Sequence, residues 1–198
     1  MTLSRLVSEG ELQRVRKGLY YRPRQTRFGQ SIPVASAAVA QSLRTPVHPA
    51  GLTAANALGF TTQNPARLEY ATPASDPPTS LADAIVHTRR PAAREGLSAE
   101  DGALLEFLRE RGQSSDLSST QTLDRLRRLL SEPGRFARLA RAAEKEPARV
   151  RAMLGALGEE LGGDPKLLRK LRQSLSPLSR YEFGKLRGLA HAQAWQAK

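Results

Sequence analysis

The stretch LSRLVSEGELQRVRKGLYYRP, residues 3–23, decides how the amino-terminal part of this chain folds. Its apolar residues recur at helical spacing over Thr2–Glu9, and Gly10 is a typical helix stop. Two β-prone segments follow, Leu12–Val15 and Leu19–Tyr21, joined by a connection with a glycine that tolerates the positive φ of a tight turn. We therefore predict a short helix followed by a β-hairpin.

Cationic side chains are concentrated on this predicted hairpin. In a winged helix-turn-helix, a two-stranded wing follows the recognition helix and carries cations to the DNA backbone, while the helix reads base edges. Phosphate contacts of this kind give affinity and salt dependence but little sequence information. A solvated hairpin without any partner fits the same residue types. The candidate base-reading residues are Ser4, Arg5 and Ser8, and the candidate phosphate-binding residues are Arg14, Arg16, Lys17, Arg22 and Arg24.

The formal net charge of the 198-residue chain is +12, and its excess lies at the two ends. Residues 1–30 carry seven Lys or Arg against two Glu, whereas residues 91–150 carry eleven against ten acidic residues. Residues 151–198 carry nine against four. A positive field of this kind concentrates nucleic acid, acidic protein or anionic membrane, and of these we predict no membrane partner.

The segment 30–96 is rich in proline, which forbids long helices. We predict short helices over Ala35–Leu43 and Thr53–Leu58, and strands near Arg67–Ala71 and Ala84–Thr88. These elements indicate a small α/β middle domain.

Residues 97–198 have the apolar spacing and the capping residues of a helical domain. Together with the amino-terminal segment 1–29, this predicts an α+β protein that is mostly helical, with three domains. The predicted helices begin at Ser98, Ser119, Gly134, Pro147 and Asp164–Pro165.

Several polar or aromatic residues have two possible roles. Asn56 and Gln63 are expected to tie a loop together, because a buried amide must be hydrogen-bonded. The single tryptophan, Trp195, is expected to anchor the chain end on the core. Four arginines serve either an acidic partner or nucleic acid, or are simply solvated: Arg67, Arg89, Arg90 and Arg94.

The sequence carries no recognisable catalytic signature. It has no cysteine, and its three histidines lack the spacing of a metal motif. No phosphate-binding glycine loop or nucleophile elbow occurs. Glu159 and Glu160 are adjacent and cannot act as a paired acid and base across a helix face. We therefore predict a binding protein rather than an enzyme, with no cofactor and no metal, and a cytoplasmic location because no apolar stretch is long enough to cross a bilayer.

Three stretches together resemble a known family: the residue 3–23 segment, HPAGLTAANALGFTTQNPARLEYAT from His48, and LSPLSRYEFGKL from Leu175. They are similar to AbiEi-type antitoxins and transcriptional regulators of type IV toxin–antitoxin systems. The resemblance implies a winged helix-turn-helix that binds operator DNA and represses its own operon. It also implies a further domain that antagonises a nucleotidyltransferase-like toxin, with or without direct contact. Such proteins usually have two helices before the segment that starts here at Thr2, so we expect an amino-terminally truncated DNA-binding domain.

A second interpretation comes from the helical half of the chain. A helical protein–protein adaptor without specific DNA binding would need positive charge only to recognise an acidic partner.

Overall fold

The computed structural model describes residues 3–16, 19–22, 24–26, 29–31, 46–78, 81 and 83–198. The architecture is α+β and mostly helical, as predicted. Within these residues the α-helices are α1 (Leu3–Ser8), α2 (Gly51–Ala57), α3 (Ala99–Arg109), α4 (Ser119–Leu130), α5 (Arg135–Ala142), α6 (Ala148–Glu160) and α7 (Pro165–Gln173). Short 3-10 turns of the described ranges span Ala92–Arg94, Ala143–Lys145, Gly184–Gly188 and Gln193–Trp195.

The described strands form two ribbons and one mixed sheet. The strands are β1 (Gln13–Arg16), β2 (Leu19–Tyr21), β3 (Arg24–Thr26), β4 (Gly29–Ser31), β5 (His48–Pro49), β6 (Glu69–Ala71) and β7 (Ile85–His87). β1 pairs with β2, and β3 with β4, both antiparallel. In the three-stranded sheet, β6 lies between an antiparallel β5 and a parallel β7.

Local capping fixes where the carboxyl-terminal helices start. Ser98 Oγ accepts a hydrogen bond from the Asp101 amide at 3.0 Å, and Asp164 Oδ1 accepts one from the Lys166 amide at 2.8 Å. These caps satisfy amides that a helix start leaves without partners. The cap of α4 is Ser118, which forms a reciprocal capping box with Gln121. The sequence therefore predicted the helix starts correctly.

One hydrophobic core extends from α2 to Trp195, across the predicted domain boundary between residues 96 and 97. Phe60 and Phe107 stack with ring centroids 3.9 Å apart. Trp195 is 1% exposed and lies over Gly155, where an added Cβ would sit 2.2 Å from the indole ring. The expectation that Trp195 belongs to the core is confirmed. A smaller cluster beside the sheet contains Tyr70, Leu81 and Ala84.

Several sequence predictions differ from the structure or lie outside the described residues. The predicted helix Ala35–Leu43 falls outside them, as do Gly18 and Pro23. The β3–β4 ribbon was not predicted, because neither strand contains an apolar run. Among the described residues no helix is both long and apolar enough to cross a membrane.

Candidate nucleic-acid interface

The first helix presents its polar residues to solvent. Ser4, Arg5 and Ser8 are all exposed on α1. Arg5 Nε donates to Glu9 Oε1 at 2.7 Å, and Ser8 Oγ donates to the Arg5 carbonyl at 2.8 Å. Gly10 has φ +73°, the left-handed conformation that commonly ends a helix. These residues lie on one short helix whose surface is accessible to a ligand.

The basic hairpin, strands β1 and β2, follows this helix directly. Arg14 is exposed and pairs in register with the half-buried Tyr20. The register then shifts between Arg14 and Arg16, so that Arg16 faces Leu19. A bulge of this type gives one strand an extra residue and increases its twist. The pairing of the predicted hairpin is therefore irregular in β1.

Arg22 follows β2, and its side chain is 80% exposed. The nearest carboxylate oxygen, Glu11 Oε2, lies 4.0 Å from its Nη2. Exposed pairs such as this one contribute about 0–1 kcal/mol, so they compete only weakly with a phosphate. Arg5, Arg14 and Arg22 are therefore available to an anionic ligand.

The remaining candidate residues are placed only in part. Arg16 ends β1, and Arg24 begins β3, where it pairs in register with Ser31. Arg24 thus belongs to the second ribbon rather than to the basic hairpin. The prediction for Lys17 lies outside the described residues.

The arginines near residue 90 do not form a free basic surface. Arg94 is fully buried, with Nε donating to Glu146 Oε1 at 2.6 Å and Nη1 donating to Glu106. Arg90 donates to both oxygens of Glu106, at 2.8 and 2.9 Å. Both roles that the sequence left open for Arg94 need an exposed side chain, so its burial contradicts both. We call this set of Arg90, Arg94, Glu106, Arg109 and Glu146 the ion network.

The ion network joins segments that are far apart in sequence. Arg109 Nη1 donates to Glu146 Oε2 at 2.6 Å, so Glu146 accepts from two arginines. Burial alone would raise the pKa of Glu106, but the Arg90 hydrogen bonds and the Arg94 charge outweigh it and lower that pKa. A sequence signal existed: Glu106 interrupts the apolar run ALLEFL, residues 103–108, and a carboxylate within such a run needs a cation as its partner.

A second buried carboxylate uses two more arginines. Asp101 is 1% exposed and accepts from Arg135 Nε at 2.9 Å and from Arg138 Nε at 2.8 Å. Two cations of α5 are therefore paired with a buried carboxylate, Arg135 from a buried position and Arg138 from an exposed one. The high arginine content of this half consequently overstates its free positive charge.

His48 is a buried histidine beside the ion network. Its ring lies against Gly102, where an added Cβ would sit 2.2 Å from Nδ1. Neither ring nitrogen has a hydrogen-bond partner among the described residues. Burial, and next the positive charge of Arg94, lower the pKa of His48. The fold therefore favours the neutral imidazole.

Asn56 and Gln63 have the loop-tying role that the sequence predicted. Asn56 Nδ2 donates to the Gln63 carbonyl at 3.0 Å. Gln63 Nε2 donates to Asp116 Oδ1 at 2.8 Å, which ties this loop to the segment before α4.

A histidine–carboxylate pair lies at the sheet, where His87 Nε2 is 2.6 Å from Glu69 Oε1. Burial raises the pKa of Glu110, which directly follows α3, and the negative charges of Glu69 and Glu106 add to this rise against the hydrogen bond from Ser114. Within the described ranges no group of three or more His, Asp or Glu is arranged to hold a metal ion. The pair is a local contact between β6 and β7.

Comparison with known proteins gives two findings. A model of a family of unknown function, DUF6088, matches residues 1–84. The fold is also similar to the crystal structure of the RV2827C protein from Mycobacterium tuberculosis, with a TM-score of 0.48 and 19% sequence identity. The alignment covers 92% of this chain and 72% of that one. A likeness of that size is too slight to support a structural or functional argument. No curated protein matches the chain.

Proposed function

We propose that this protein is a DNA-binding antitoxin and autorepressor of a type IV toxin–antitoxin system. The proposal rests on the sequence resemblance to AbiEi-type regulators and on one structural observation: Arg5, Arg14 and Arg22 are exposed on a helix–hairpin unit. The cations of the basic hairpin contact phosphates, and Ser4, Arg5 and Ser8 on α1 face the bases. The protein acts in the cytoplasm, without a cofactor, as a binder rather than an enzyme.

The distribution of paired charge supports this assignment. The arginines of the ion network and those on Asp101 are held by buried carboxylates. At the amino terminus the described partners of arginine are the exposed Glu9 and Glu11, at 2.7 and 4.0 Å. Phosphates can displace such pairs, because solvent screens them.

The test is a titration of the DNA upstream of the protein's own operon at several salt concentrations. We expect log affinity to fall linearly with log salt, with a slope of about −0.9 per neutralised phosphate. Arg14→Ala with Arg22→Ala should make the slope less negative by about 1–2 units. Arg128→Ala, an exposed arginine on α4, is the matched control and should leave the slope unchanged.

The same titration separates the regulator from an adaptor without specific DNA binding. A regulator prefers its own upstream sequence over a shuffled one at moderate salt by roughly 10³-fold or more. Equal affinity for the two sequences would exclude a sequence-specific regulator, and an unchanged slope in the double variant would remove the basic hairpin from the mechanism.

The antitoxin activity has a separate test. Coexpression with a nucleotidyltransferase-like protein encoded beside this gene should restore growth that the toxin alone arrests. Growth that remains arrested would contradict the antitoxin assignment and leave the DNA-binding assignment intact.

A further inference from the structure

A groove separates α5, with its following 3-10 turn, from α7. It encloses about 130 Å³. Its floor is apolar and consists of Ala140, Leu167 and Leu171. An apolar cavity of roughly 150 Å³ takes up benzene, so this groove has room for one aliphatic or aromatic side chain.

The rim of the groove is predominantly cationic. Lys170 is 62% exposed and pairs with Glu144, Nζ to Oε1 at 2.6 Å. Lys145 also lines the groove and is exposed. Arg141 on α5 and Lys166, one helical turn before Lys170, are exposed as well. In the part of the chain that the structure describes, no carboxylate pairs with Lys145, Arg141 or Lys166. One acidic and two basic side chains therefore line the groove beside its apolar floor, and two further exposed cations, Arg141 and Lys166, directly adjoin lining residues in the sequence.

From this combination we infer that the α5–α7 groove docks an acidic amphipathic helix of a protein partner. Such a helix would insert an apolar side chain between Ala140 and Leu167 and place carboxylates near Lys145 and Lys166. Helix-in-groove recognition uses this pattern of apolar anchors spaced at i, i+3 or i+4, i+7. A nucleic-acid backbone would use the cations but would gain nothing from the apolar floor. The inference goes beyond the proposed DNA binding and does not depend on it.

The experiment selects peptides on the full chain from a displayed library of amphipathic helices with variable polar positions. A parallel selection uses the Ser174→Trp variant, because Ser174 lines the groove at an exposed position and an indole there would fill it. We expect Asp and Glu, with Leu, Ile or Phe at helical spacing, to be enriched on the wild-type protein but not on the variant.

The selected acidic peptide then serves as the probe in fluorescence anisotropy. Lys145→Glu with Lys166→Glu should weaken its binding at least tenfold, since opposite-sign charges become like-sign ones. Arg128→Glu on α4, which does not line the groove, should change it less than twofold. Thermal melting checks that each variant is folded.

Three results would overturn the inference. These are enrichment of basic peptides, equal enrichment on Ser174→Trp, or displacement of the acidic peptide by single-stranded DNA. The last would assign the rim cations to a nucleic-acid surface. None of these measurements uses operator DNA, so their failure is distinguishable from failure of the proposed function.

Discussion

The amino-terminal helix–hairpin and the helical core use arginine in opposite ways. Arg14 and Arg22 are exposed, whereas Arg94 is completely buried between Glu106 and Glu146. A buried charge is tolerated only with a partner, because removal from water costs several kcal/mol per ion. The net charge of +12 therefore says little by itself about the free cationic surface. The two regions differ in their carboxylates, which are buried beside arginines in the helical core and exposed at the amino terminus.

Of the substitutions considered, Arg94→Ala in the helical core should have the largest effect on stability. The substitution leaves Glu146 and Glu106 with fewer partners inside the core, so the free energy of unfolding should fall by about 3–5 kcal/mol. Urea denaturation followed by circular dichroism measures the change. Arg128→Ala, at an exposed position, should stay within about 0.5 kcal/mol. A loss below about 1 kcal/mol for Arg94→Ala would mean that the ion network does not hold the fold together.

A second test removes one charge without changing shape. Asp101→Asn keeps the size of the side chain, but its amide nitrogen cannot accept a hydrogen bond, so one of the two bonds from Arg135 and Arg138 is lost and the other becomes a bond to a neutral group. We expect a loss of about 2–3 kcal/mol, because hydrogen bonds to buried charged groups are stronger than neutral ones. The same denaturation assay applies, with Asp124→Asn on the exposed face of α4 as the control. Equal losses in the two variants would show that burial of the carboxylate does not matter.

A third test uses pH. Because the pKa of His48 is below its ordinary value of 6.5 in the folded protein, the unfolded chain binds the proton more readily. The stability from the neutral imidazole is complete above pH 6.5 and is lost as the pH falls below it. Unfolding measured between pH 8 and 5 should show this loss in the wild type, and His48→Gln should reduce it.

Glu106 also makes the stability fall as the pH falls, but in a lower pH range than His48. Its lowered pKa gives stability that is present above its ordinary value of 4.5 and is lost below it. The raised pKa of Glu110 acts in the opposite direction, since its contribution to stability is lost as the pH rises above 4.5.

The contradicting outcome for the His48 prediction concerns the change of stability with pH between pH 6.5 and 5. If this change is the same in His48→Gln and in the wild type, His48 is not its source.

The sequence predicted local structure well and long-range structure poorly, for a physical reason. Helix starts such as Ser98 and Asp164–Pro165 depend on residues within one turn, so spacing alone locates them. Arg94 and Glu146 are 52 residues apart, and nothing local in the sequence shows that they meet. The parallel pairing of β6 with β7 is also nonlocal, since residues 72–84 separate the two strands.

In the candidate nucleic-acid interface, too, one feature could be predicted from the sequence and another could not. The exposure of Arg5, Arg14 and Arg22 follows from residue type, because a charged side chain is rarely buried without a partner. The bulge that puts Arg16 opposite Leu19 could not be read from the sequence, because alternation of apolar residues predicts a regular register.

Removal of carboxylates should have opposite consequences in the core and at the amino terminus, although the expected effect at the amino terminus is small. In the core, loss of a carboxylate destabilises the fold. At the amino terminus, Glu9→Gln with Glu11→Gln removes the acids that compete with phosphates for Arg5 and Arg22. We expect stability within about 0.5 kcal/mol of the wild type. DNA affinity at low salt should rise about two- to fivefold, as expected for charge pairs worth up to about 1 kcal/mol in water.

The control for this variant is Glu95→Gln, an exposed acid outside the helix–hairpin unit. It changes the net charge in the same direction by one unit, and any rise in affinity should be smaller than that of the double variant. Binding isotherms of the two variants at 50 mM salt separate the two explanations, because only a local effect depends on the position of the removed charge. An equal gain per charge at Glu95 would mean that total charge, rather than release of Arg5 and Arg22, sets the affinity for DNA.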